Sequence, residues 1–240
     1  MSNNAKRISP EDMMKLLDSC YEKAMHGIPH VSPSVAEMAE DYLRRNTPPA
    51  AERAMINNQV MKCATSGFIT GFGGLITLPV SIPANIGSVL YVQMRMIACT
   101  AYMAGYDLNS DQTQTFVYAC LAGVAVSKVV KQFGIKFGVK LATGMVKKVP
   151  GKLLVKINQA VGFRLVTKFG TKGLVNLGKM VPGVGAVIGG GLDLAETRLI
   201  GKRAYKWFME NDFSDDKDSD DSYVIKSEAF TEETIEETTE

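Results

Sequence analysis

The sequence predicts an all-α fold. Apolar residues recur three and four apart through most of the chain, and helix start signals precede these runs. No segment alternates apolar and polar residues as a strand would. At 240 residues the chain is long enough to bury a sizeable core as one multi-helix domain.

Ser9–Pro10–Glu11–Asp12 supplies a cap, a proline at the first helical position and two acids that suit the helix dipole. Met13, Leu16, Leu17, Cys20, Tyr21 and Met25 then share a face, and the string 27–30 (GIPH) ends this helix. Ser32–Pro33 repeats the start signal, with Val35, Met38, Ala39 and Tyr42 on a short helix to about Arg45. Pro48–Pro49 opens a third, striped by Ala54, Met55, Val60 and Met61. These N-terminal helices, 1–47, precede a larger helical region, 48–212.

That region is organised around residues 67–84, GFITGFGGLITLPVSIPA. No charge falls between Lys62 and Arg95. Pro79 and Pro83 cut this run, and Gly67 and Gly71 are four apart, so the expectation is a close-packed helical hairpin rather than a membrane span. After Pro83 a helix runs through Ile86, Leu90, Met94 and Ile97 to about Tyr106. Ser110–Asp111 caps another that is expected to reach Gly134. Lysine-studded segments follow at about 135–147, 152–169 and 171–180. In the second, Leu154, Ile157, Val161 and Leu165 face inward and Lys152 and Lys156 outward. Pro182, Gly185 and Gly189 mark a further turn and close-packed helix, which becomes amphipathic at Ala204, Tyr205, Trp207 and Phe208.

Charge is unevenly spread. Between Gln112 and Leu192 there is no acid, against eleven lysines and Arg164. From Glu210 to Glu240 there are thirteen acids against Lys217 and Lys226, and residues 213–240 read as a disordered acidic tail. Lysines among Val, Leu and Gly, with few aromatics and one arginine, suit an anionic membrane surface, or equally a solvated face balanced by the acidic tail, and argue against nucleic acid. Lys128, Lys131, Lys136, Lys140, Lys147, Lys148, Lys152 and Lys156 are the candidate contact residues.

Chemistry is sparse. His26 and His30 are four apart, but Gly27 and Pro29 between them indicate a helix end, so no metal site is expected. Gly173 to Met180 has the glycine and lysine spacing of a phosphate loop but lacks its hydroxyl and its strand, so no cofactor is expected. Asp107, Asp111, Asp193 and Glu196 are the only acids between Glu52 and Glu210. Asp107 and Asp193 are candidate buried acids, Asp193 as the partner of a basic side chain. Cys63, Cys99 and Cys120 fall in apolar runs and read as buried thiols, which suits a reducing cytoplasm. The N-terminus carries no secretory signal pattern.

Three motifs in order resemble the EcsC family: the glycine-rich run into Pro79, Pro83 and Ala84; Ala101, Tyr102, Gly105 and Asp107; and Pro182, Gly185, Ala186, Ile188, Gly189 and Gly190. Met103–Ala104, between the aromatic and the glycine, departs from the pattern. The resemblance covers roughly residues 50–210. It implies a helical, membrane-associated accessory protein, beside a complex such as an ABC transporter, with no catalytic residues to carry over. Two functions are therefore expected to compete. One is non-enzymatic docking at the inner face of the membrane or on a membrane complex. The other is action on a lipid or other hydrophobic ligand held between helices.

Overall fold

A computed structural model describes residues 8–64, 84–132, 146–169 and 196–214. Among these the regular elements are helices, and one isolated bridge pairs Ile28 with Ser32. The predicted hairpin, with Gly67, Gly71, Pro79 and Pro83, lies outside the described residues. So do Pro182, Gly185 and Gly189.

The helices are α1 (Pro10–His26), α2 (Val35–Leu43), α3 (Pro48–Ala64), α4 (Ala84–Met103), α5 (Asp111–Ala122), α6 (Val126–Gln132) and α7 (Gly151–Phe169). A C-terminal helix follows over residues 196–204 and continues as one π-helical turn, Tyr205–Met209. Helix α4 is the centre, with α1, α2, α3, α5 and the π-turn packed around it, while α7 closes the other side against α1 and α5. The N-terminal helices share one continuous apolar core with the rest.

Local chemistry fixes the element ends. Ser9 Oγ accepts from the Asp12 N–H, and the Asp12 carboxylate accepts from the Ser9 N–H, a reciprocal cap on α1. The start of α2 differs from expectation. Its cap is Ser34, not Ser32, because Glu37 lies three residues on and accepts from the Ser34 N–H and hydroxyl. Those bonds hold the Glu37 carboxyl below the usual range. Ser32 instead shares a 2.8 Å hydrogen bond with the Tyr91 hydroxyl on α4.

The single helix expected from Asp111 to Gly134 is two. Gly123, at φ 70°, turns left-handed, and its N–H caps Ala119 and Cys120. Arg203 Nη1 donates to the Cys120 carbonyl at 3.0 Å, placing a cation at the negative end of α5.

The face of α3 is also rotated from the expected one. Ala51, Glu52, Met55, Gln59 and Val60 are buried, whereas Ala54 and Met61 are exposed. At the far end, the π-turn turns Trp207 and Phe208 inward, and Phe213 joins them 3% exposed. Ring centroids lie 5.1 Å apart for Tyr106–Phe208, 5.2 Å for Phe116–Phe213 and 5.4 Å for Trp207–Phe213. Phe213, read from sequence as the first residues of the tail, is therefore core.

Gly27 ends α1 at φ 74°, and a Cβ there would sit 2.7 Å from the Ser32 carbonyl oxygen and from the Ser34 nitrogen. Gly105 has a similar φ, 81°, but open space around it. Gly105→Ala should cost about 1 kcal/mol through backbone strain alone. Gly27→Ala adds a backbone clash and should cost about 3 kcal/mol or more. Equal shifts in denaturant midpoint for the two would contradict this reading of the 27–34 turn.

Candidate functional site

A groove with a cavity volume of about 590 Å³ lies between α3 and the C-terminal helix. On α3, Arg53 and Asn57 stand four apart, and on the facing helix Arg198 and Lys202 do the same, so each pair projects from one helical face. Arg53, Arg198 and Lys202 are exposed, and Lys206 is half-buried, its Nζ donating to the Ser214 carbonyl at 3.1 Å. The Arg53 guanidinium lies 5.7 Å from the centre of the Tyr205 ring, which orients it across the groove. The two helices meet at Gly201, where a Cβ would come within 3.0 Å of Ile56.

Glu52 lines the groove at its floor, 1% exposed, and its Oε1 has no hydrogen-bond partner. Burial pushes the Glu52 carboxyl up to about 8, although the Arg53 guanidinium pulls it down. At neutral pH it is therefore mainly an uncharged acid with a proton to donate. Among the described lining residues, Arg53, Arg198, Lys202 and Lys206 share the groove with Glu210.

Behind the groove a polar seam runs through the core. Gln93 Nε2 donates to Thr197 Oγ1 at 3.1 Å, tying α4 to the C-terminal helix. Arg95, 2% exposed, donates through Nη2 to the Pro33 carbonyl at 2.8 Å. Its guanidinium lies 5.7 Å from the Tyr91 ring centre. Arg95 and Gln59 both reach the Met38 sulfur at 3.5 Å.

The expected contact lysines are spread more widely. Lys147, Lys148 and Lys152 are exposed around the start of α7, and Lys156 is partly exposed one turn on. The opposite side of α7, with Leu153, Leu154, Ile157, Val161 and Leu165, is buried as the periodicity predicts. Lys128, on α6, is half-buried. Lys131 is carried by α6, and Lys136 and Lys140 lie outside the described residues. Lys168 pairs with Glu196.

Asp107 corrects an expectation. It is exposed, not buried, and its carboxylate accepts from the Asn109 N–H at 3.0 Å in the turn before α5. It enters no cavity with a basic residue among those described, and Asp193 lies outside them. His26 ends α1 and His30 sits in the following turn at φ 62°, as the spacing implied. No cluster of metal-ligating side chains occurs among the described residues. Cys20, Cys99 and Cys120 are buried thiols outside any disulfide. Burial pushes Cys20 and Cys99 up to about 12, so neither is a ready nucleophile.

A family model described as the EcsC protein family matches residues 2–209. The chain belongs to the EcsC family. That match takes in α1 and α2 as well as the three motifs, in keeping with the shared core, so the EcsC unit starts well before residue 48. Comparison with curated proteins and with solved structures gives no match. Membership brings no reaction with it, and the groove rests on this chain's geometry alone. The sequence reading missed the groove, although Glu52 stands three residues from Met55 and seven from Gln59 on what proves to be the buried face.

Glu52 makes stability depend on pH in a defined direction. The folded protein keeps a proton that the unfolded chain releases near the ordinary value of 4.5. The stabilisation from this proton is whole below that pH and is lost as pH rises through about 8. Glu52→Gln, neutral at every pH, should remove about 2–4 kcal/mol of the fall in stability over this range. Thermal melts of both proteins at several pH values check this. Parallel curves would show that Glu52 is ionised in the folded state.

Proposed function

We propose that this EcsC-family protein is a non-enzymatic accessory protein. It docks reversibly on an anionic membrane surface, or on a membrane complex such as an ABC transporter, at the cytoplasmic face. The observation that supports this most directly is the group of exposed lysines around the start of α7. Lys147, Lys148 and Lys152 stand in solvent with Lys156 beside them, on a helix whose apolar side is already used by the core. Such a face has charge to offer and no free apolar stripe, which favours surface attraction over insertion. No helix among the described residues is long and apolar enough to cross a membrane.

Each basic residue near an anionic surface contributes on the order of 1 kcal/mol, screened over about 8 Å at physiological salt. Flotation with phosphatidylcholine vesicles, with and without phosphatidylglycerol, tests the reading. The protein should float only with the anionic vesicles and be released by salt. Lys148→Gln/Lys152→Gln should weaken binding about thirtyfold. Equal binding to neutral vesicles, or resistance to salt, would refute surface docking.

The acidic C-terminal segment is a built-in competitor in this scheme. Tethered to the domain, its carboxylates meet the lysines at high effective concentration. Removal of residues 215–240, which leaves Phe213 in the core, should tighten binding to anionic vesicles at low salt. The gain should shrink as salt rises. Unchanged affinity with poorer solubility would make the segment a solubiliser only.

A further inference from the structure

The groove between α3 and the C-terminal helix is a second charged site, on different elements from the α7 lysines. Its cations repel one another, both along the C-terminal helix, where Arg198 and Lys202 are four apart, and across the cleft to Arg53. Among the described lining residues Arg53, Arg198 and Lys202 outnumber Glu210 by two, once Glu52 holds its proton, while Lys206 is engaged by the Ser214 carbonyl. An anion between them removes that repulsion.

Two arginines present planar forks suited to phosphate oxygens, and Tyr205 holds one of them by its ring. At the floor, Glu52 is almost wholly buried and its Oε1 is unpartnered, a group that a native fold normally satisfies. Cations on both walls, Arg53 on α3 and Arg198 and Lys202 on the facing helix, fit a tetrahedral group better than a planar carboxylate. The charge excess suits a dianion better than a monoanionic diester. A volume of about 590 Å³ leaves room for an organic body against Ile56 and the Tyr205 ring.

We propose that this groove binds a phosphate monoester, with Arg53, Arg198 and Lys202 gripping its oxygens and Glu52 closing the floor. The monoester comes either from a soluble phosphorylated compound or from a lipid headgroup of the same chemistry. The site goes beyond surface docking through α7 and does not depend on it.

The test uses the full chain with two probes: glycerol 3-phosphate, followed by calorimetry, and phosphatidylcholine vesicles carrying phosphatidic acid. Arg198→Gln/Lys202→Gln removes two exposed cations of the groove, and both side chains are exposed, so folding is spared. Arg44→Gln/Arg45→Gln removes the same charge at the exposed end of α2 and serves as control. Glycerol 3-phosphate should bind the wild type, about tenfold or more weakly to the groove variant, and as well to the control. Loss confined to the vesicle probe, again only in the groove variant, would assign the site to a lipid headgroup. Equal weakening by both variants would reduce the groove to general charge and overturn the proposal. So would vesicle binding that neither variant changes, with no soluble binding. The α7 reading is decided separately, by Lys148→Gln/Lys152→Gln on phosphatidylglycerol vesicles.

Discussion

The fold depends on burying α4 on every side. From Ile86 to Met103 nearly every residue of this helix is buried, so it needs neighbours all round. Helices α1, α2, α3, α5 and the C-terminal π-turn supply them. Burial of Leu90, Met94, Met96 and Ile97 contributes roughly 1.5–3 kcal/mol each. The same burial imposes a condition on the polar residues of α4, which must find partners inside. Arg95 meets it in part, with Nη2 on the Pro33 carbonyl and the guanidinium over the Tyr91 ring but Nε unpartnered, Gln93 through Nε2 on Thr197 with Oε1 unpartnered, and Thr100 with the Met96 carbonyl at 3.1 Å. These bonds also set the order of the surrounding elements. Arg95 holds the α1–α2 loop, and Gln93 holds the C-terminal helix.

The C-terminal helix owes its placement to both ends. Thr197 is tied to α4, and Phe208 and Phe213 anchor the far end through edge-on ring contacts with Tyr106 and Phe116, with Trp207 against Phe213. Arg203, between them, reaches the end of α5. With three anchors on one side, the opposite side, bearing Arg198, Lys202 and Tyr205, is fixed against α3. The groove is thus a consequence of core packing, and its cations stand on rigid helices rather than loops.

Much of this was legible in the sequence. The all-α class, the ends of α1, the start of α3 and the inward face of α7 follow from caps, prolines and apolar spacing. What was not legible has physical causes. Ser32 and Ser34 both precede helical residues, and only the reach of Glu37 back to Ser34 decides between them. Gly123 sits in an apolar run whose period continues past it, so a left-handed cap there looks like any tolerated glycine. The face of α3 was misplaced because its buried side carries Glu52 and Gln59, polar residues that periodicity assigns to solvent. The groove was hidden by the same feature. Close helix contact was expected at paired glycines such as Gly67 and Gly71, whereas among the described residues it occurs at lone ones, Gly162 against Pro10 and Gly201 against Ile56.

Two ionisable groups buried along one seam answer their burial in opposite ways. A guanidinium holds its proton so strongly that burial, which lowers Arg95 from its ordinary value, leaves it a cation, offset by the Tyr91 and Cys99 surroundings. A carboxyl has a cheaper escape, and Glu52 takes up a proton instead of finding a counter-charge. Cys99 registers both neighbours, Arg95 drawing its thiol down and Glu52 pushing it up. The seam as a whole is therefore left with positive charge at neutral pH. Surface charge is screened within about a Debye length, but a charge inside the core is screened far less. The field of the buried Arg95 is accordingly less open to salt than that of the exposed α7 lysines.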